Sequence, residues 1–71
     1  MRRANEARLA GKVDTAIPLY ERALQANPDG LEAKLGLGQS FLVIGAGEEA
    51  AAQFRDVLAM VAAIVLLQMP A

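Results

Sequence analysis

Three stretches of this chain carry residue types from which a chemical site could be built. Gly36-Leu37-Gly38-Gln39-Ser40-Phe41 opens like a dinucleotide-binding fingerprint, whose glycines let the backbone approach a pyrophosphate. It has no third glycine and no strand pattern before it, so helix packing is the better account of Gly38. Gly45-Ala46-Gly47 has the glycine density of a phosphate-cradling loop but not the Lys-Ser/Thr pair that completes one. Ser40 and Thr15 offer hydroxyls, and Lys12 and Lys34 offer amines, yet each needs a neighbouring base or a desolvating pocket to become nucleophilic. The chain has no histidine and no cysteine. With them go the commonest general base, the commonest metal ligand and every thiolate. Glu48 and Glu49 are adjacent and so point to different helix faces, where they serve best as negative charge near a helix N-terminus. The expectation is a protein that is not an enzyme and uses no cofactor and no metal.

Charge directs attention to proteins as partners. Seven basic and eight acidic side chains leave a net charge of −1, too little for a global field toward nucleic acid or an anionic membrane. Arg2, Arg3, Arg8 and Lys12 make the start of the chain basic, but Tyr20, Phe41 and Phe54 are its only aromatics, too few for a base-stacking platform. No nucleic-acid partner is expected. No apolar run follows the basic start, which argues against a secretory leader and for a cytoplasmic location.

The elements that would position any site are helices. Helix formers dominate, and three interruptions punctuate them: Gly11, Asn27-Pro28-Asp29-Gly30 and Gly45-Ala46-Gly47. The segments between, roughly 2–10, 14–26, 31–44 and 48–68, predict four helices in an all-α stack of antiparallel hairpins. Asp14 and Asp29 stand where N-caps are wanted, with Glu32 at capping-box spacing after Asp29. Leu31, Leu35, Phe41, Leu42 and Ile44 supply the surfaces of the third helix, and Gly45 suits its left-handed end.

The sequence also repeats itself at an offset of 34 residues. Gly11 aligns with Gly45, Asp14 with Glu48, Ala16 with Ala50, Tyr20 with Phe54, Leu24 with Leu58 and Ala4 with Gly38. Each pairing has a packing reason: glycine for the turn, alanine for close helix approach, an aromatic four residues on for the space beyond. Gly11-Lys-Val-Asp-Thr-Ala16-Ile17-Pro-Leu-Tyr20-Glu-Arg-Ala23-Leu24-Gln-Ala-Asn-Pro28 resembles the second half of a tetratricopeptide repeat, and Leu37-Gly38, Phe41, Gly45, Ala50 and Phe54 match the next repeat in order. The resemblance implies one domain over residues 1–71: a partial repeat over 1–28, a second over 29–62, and an apolar helical extension over 57–69. It further implies a helical solenoid of about two repeats, the chain being a fragment of a larger bacterial member of the family. Lys34 and Ala62 depart from the pattern, standing where a large aromatic and a closing proline are usual.

From the resemblance follow a concave groove and a function, binding a protein, peptide or partner helix as a scaffold. Carried over position by position, the groove takes Asn5, Arg8 and Leu9 from the first repeat and Glu32, Leu35, Gln39, Leu42 and Val43 from the second. Some members grip a peptide's terminal carboxylate; Asn5 matches one position of that set, but Gly36 stands where a second asparagine belongs, so this use is not expected. The run Val57–Leu67 is apolar on every side and must be covered by something. Its eleven residues span about 16 Å, against a bilayer core of about 30 Å. Membrane association is therefore not the leading expectation, although bacterial secretion and pilus-assembly proteins with such repeats contain similar stretches. Self-association, or pairing with the remainder of a larger chain, through Val57, Met60, Val61, Ile64 and Leu67 is the alternative to folding back over the hairpins.

Overall fold

The computed structural model describes residues 1–70; Ala71, the last residue of the expected domain, lies outside them. Four helices follow one another, α1 Arg2–Leu9, α2 Val13–Ala26, α3 Leu31–Val43 and α4 Gly47–Gln68, with no strand among the described residues. Each packs on the next, and α1 also touches α3. The all-α hairpin stack read from the sequence is the fold observed.

The two hairpin turns are built alike. Gly11 and Gly45 both sit at positive φ, +79° and +78°, a conformation that is costly for any side chain with a Cβ. After α1, the Gly11 amide bonds to the Arg8 carbonyl and the Lys12 amide to the Ala7 carbonyl. After α3, Gly45 bonds to Leu42 and Ala46 to Phe41 in the same pattern. Both are Schellman closures, in which backbone groups alone satisfy the orphan carbonyls. Lys12 and Ala46 then start the next helix, accepting at their carbonyls from the amides of Ala16 and Ala50 at 3.0 Å. One residue thus ends a helix and opens the next, at positions 34 apart.

This economy corrects the expected caps. Lys12 is the N-cap of α2, and Asp14 lies inside the first turn, its carboxylate accepting from the Thr15 amide at 3.1 Å. Gly30, not Asp29, caps α3, and no side chain completes a capping box there. Asn27-Pro28-Asp29-Gly30 closes as a turn through a 3.0 Å bond from the Gly30 amide to the Asn27 carbonyl, which uses up Asp29 before the helix begins.

The core is small and made largely of alanines. Ala4, Ala16, Tyr20, Ala33 and Leu37 form its buried cluster, with Ala7, Ile17, Leu19, Ala23, Leu24 and Phe41 packed around it. In α3 the buried side is therefore Ala33, Gly36, Leu37, Gly38 and Ser40, while Leu35, Leu42 and Ile44 face outward. Gly36 and Gly38 are notches for aromatic rings. A Cβ at Gly36 would lie 2.3 Å from Tyr20 Cζ, and one at Gly38 would lie 2.7 Å from Phe54 Cε1. That accounts for both glycines of the fingerprint-like pattern without a nucleotide.

Helix α4 outlasts the repeat. At the 34-residue offset, α2's end at Ala26 corresponds to Met60, and the turn Asn27–Gly30 corresponds to Val61–Ile64. Apolar helix formers replace turn residues, and the helix continues to Gln68, where Met69 turns extended before Pro70. The molecule is accordingly long, 46 × 23 × 19 Å. The uncharged run alone is short for a bilayer, but α4 is continuous over 22 residues and is long and apolar enough to cross one by length and composition. Its first half, however, carries Glu48, Glu49, Arg55 and Asp56 and packs on α3.

Candidate functional site

The expected groove residues fall on one stripe of α1 and one of α3. Asn5, Arg8 and Leu9 are spaced i, i+3, i+4, and Glu32, Leu35, Gln39, Leu42 and Val43 continue a single helical face. The structure joins part of this set through hydrogen bonds. Asn5 Nδ2 donates to Glu32 Oε1 at 3.0 Å, linking α1 to α3. Arg8 Nε donates to the Tyr20 hydroxyl at 3.0 Å, and that hydroxyl donates to Asn5 Oδ1. Asn5, Arg8 and Glu32 thus form one network with Tyr20, and three helices contribute to it.

Tyr20 was not among the expected site residues, since its apolar ring reads as core. The ring is indeed wholly buried, under Gly36, but its hydroxyl supplies the centre of the network. The signal was present in the repeat itself: position 20 is tyrosine where position 54 is phenylalanine. A buried hydroxyl must find partners, and Arg8 and Asn5 are the partners it finds. No buried side-chain polar atom among the described residues is left without one.

The network divides the surface. Its polar end is tied into the fold, so a ligand reaching Asn5 or Glu32 competes with an existing bond. Its apolar end is open: Leu42 is 56% exposed, Val43 65% and Leu9 76%, with Gln39 and Leu35 on the same side also exposed. Arg8 is half-buried and held through Nε, which fixes its guanidinium beside the stripe. Two open depressions lie elsewhere, between α1 and α2, both lined by Arg3 and Leu19. None of the expected groove residues lines either one.

Two of the nucleophile candidates have structural roles, and the other two, Lys12 and Thr15, are exposed. Ser40 is fully buried and its hydroxyl donates to the Gly36 carbonyl at 2.9 Å, the back-bonding common for serine inside helices. Lys34 Nζ pairs with Asp56 Oδ2 at 3.1 Å and fastens α3 to α4. No group of three or more acidic, cysteine or histidine side chains able to hold a metal occurs among the described residues.

The second candidate surface is α4. Of the five residues expected to associate, Val57 and Met60 are half-buried, whereas Val61, Ile64 and Leu67 are exposed. Leu58 and Val65 are exposed beside Val61, and Leu66 is exposed on the opposite side of the helix from Val57 and Ile64. Comparison with α2 shows what leaves it open. Tyr20 and Leu24 are covered by α3, while their equivalents Phe54 and Leu58 are half-buried and 70% exposed, because no described helix covers α4 on that side.

A family model described as the tetratricopeptide repeat matches residues 1–63. No curated protein and no solved structure matches the chain.

Proposed function

Since the chain belongs to the tetratricopeptide repeat family, whose repeats are typically non-catalytic protein-interaction modules, we propose that it binds a peptide or partner helix along the α1/α3 face. The observation that carries this reading is the exposed apolar end of the α3 stripe, Leu35, Leu42 and Val43, next to a polar end that is already ordered. A helical ligand would lay its apolar side on the leucines and valine and present polar groups to Gln39, Arg8 and Glu32. Ordering of Asn5, Arg8 and Glu32 before binding reduces the side-chain entropy that recognition costs. The same reading assigns no catalytic step and no cofactor, and it keeps the cytoplasm as the place of action. The double substitution Leu42→Asp and Val43→Asp tests it. Both side chains are exposed, so the fold should persist while retention of a bound peptide is lost; unaltered retention would remove this face from the account.

A second reading is favoured by a separate observation, the uncovered apolar side of α4. On that reading the chain also associates through its last helix, with a second copy, with the remainder of a larger protein, or with a membrane.

A further inference from the structure

Resting on the first of these readings, we infer that Arg8 sets the specificity of the α1/α3 face. The ligand it selects is a peptide with an Asp or Glu side chain inside its sequence, gripped by the terminal edge of the guanidinium.

The group is prepared by the fold. Arg8 Nε donates to the Tyr20 hydroxyl at 3.0 Å, and the Tyr20 ring is wholly buried, so the guanidinium is anchored on the core. With the Nε side of the fork taken by that hydroxyl, the edge between the two terminal nitrogens is left. Its parallel N–H groups match the two oxygens of a carboxylate. Two ion pairs occur among the described residues, Arg2 with Glu6 and Lys34 with Asp56, and Arg8 belongs to neither. It is nevertheless half-buried. A guanidinium that has already given up part of its water on folding loses less on meeting a carboxylate than an exposed one such as Arg3.

Glu32 does not fill this role. Its carboxylate accepts from Asn5 Nδ2 at 3.0 Å, and Asn5 Oδ1 accepts from the Tyr20 hydroxyl. Asn5 and Tyr20 thus link the two charges through hydrogen bonds without bringing them into contact.

The same hydroxyl places Arg8 along the face. It would lie 2.6 Å from a Cβ at Gly36, so Arg8, bonded to it, stands level with Gly36 on α3. Glu32 is one turn before that level and Gln39 about one turn after, with Leu42 and Val43 one turn further. A ligand carboxylate on Arg8 is repelled from the Glu32 side and meets a donor, the Gln39 amide, on the other. It therefore sits toward Gln39, one turn from the apolar contacts at Leu42 and Val43. Exposed Leu35 lies on the Glu32 side of this point and exposed Leu42 and Val43 beyond it. A peptide that uses both runs past Arg8 and offers it a side chain, not its chain end.

Peptides selected against the full chain from a displayed random library, and mapped to this face by amide shifts, are the probe. They should share an Asp or Glu one turn from an apolar pair. Replacing that acid by its amide should weaken binding at least about tenfold, whereas amidation of the peptide's C-terminus should change nothing. Arg8→Gln, with helicity retained, should bind the acidic and amide peptides alike. Arg8→Lys, a point charge without the fork, should restore only part of the difference. Tyr20→Phe keeps Arg8 but releases its anchor, and should narrow the difference too. An acid-to-amide change without effect on the wild-type protein overturns this inference and leaves the α1/α3 reading standing. Loss of binding on C-terminal amidation overturns it in favour of a chain-end carboxylate, and an acid preference that survives Arg8→Gln overturns the assignment to Arg8. Shifts that fall elsewhere on the protein remove the α1/α3 reading, and this inference with it.

Discussion

Tyr20 lies against Gly36, so close that the smallest side chain at residue 36 would put its Cβ 2.3 Å from the ring. Residue 20 belongs to the first repeat and residue 36 to the second, so this contact is the seam between them. It also lets the Tyr20 hydroxyl reach Asn5 and Arg8 on the α1/α3 face. One glycine therefore serves both the packing of the repeats and the ordering of the candidate binding surface.

Gly36→Ala should consequently destabilise the protein although alanine is the better helix former. Overpacking costs about 1–3 kcal/mol, against about 1 kcal/mol of helix propensity gained. Because Tyr20 is walled in on every side, the upper end of that range applies, and thermal unfolding should shift down by several degrees. Gly47→Ala is the control: nothing lies within 4 Å of its added Cβ, and its melting temperature should hold or rise.

Gly38→Ala should cost less than Gly36→Ala. Its added Cβ would meet the Phe54 ring at 2.7 Å, but that ring is only half-buried and can swing toward the open side of α4. Denaturant midpoints of the two variants measured side by side give the order; the reverse order would mean that the Phe54 ring is held as firmly as that of Tyr20.

Tyr20→Phe removes the hydroxyl from the network and leaves the ring in place. The loss should be about 1 kcal/mol, the usual net worth of an internal hydrogen bond. Asn5→Ala should cost a similar amount, and the double variant less than the sum, because both act on the same bonds. Chemical denaturation of the four proteins reports the coupling directly.

Lys34 and Asp56 are expected to contribute little despite their 3.1 Å separation. The carboxylate is largely exposed, and pairs of this kind give less than about 1 kcal/mol. Replacing Lys34 by methionine keeps the apolar stem over α4, and the change in melting temperature should be within a few degrees and smaller still at high salt.

How much of this was readable beforehand depends on the range of the interaction. The four helices were legible because glycine, proline and alanine recur at fixed offsets, and those residues act on the backbone where they stand. The caps at Asp14 and Asp29 were misread because Lys12 and Gly30 supply the helix starts through backbone geometry, which any residue type can do. The groove stripe rested on the family resemblance, carried over position by position. Its internal pairing was not legible: Asn5 and Glu32 are 27 residues apart, and only the stacking of α1 on α3 brings them together. Tyr20 was half-read, its ring placed correctly and its hydroxyl overlooked, since composition cannot say where a buried oxygen points.

The central claim, that the α1/α3 face takes a peptide or helix, is tested most directly by amide chemical shifts. A 71-residue chain can be followed residue by residue while a peptide selected from a displayed random library is added. The account predicts that shifts concentrate at Asn5, Arg8, Leu9, Glu32, Leu35, Gln39, Leu42 and Val43, and that the Leu42→Asp, Val43→Asp protein shows none. Shifts confined to α2 or to Leu58–Leu67 of α4, with this face undisturbed, would contradict it.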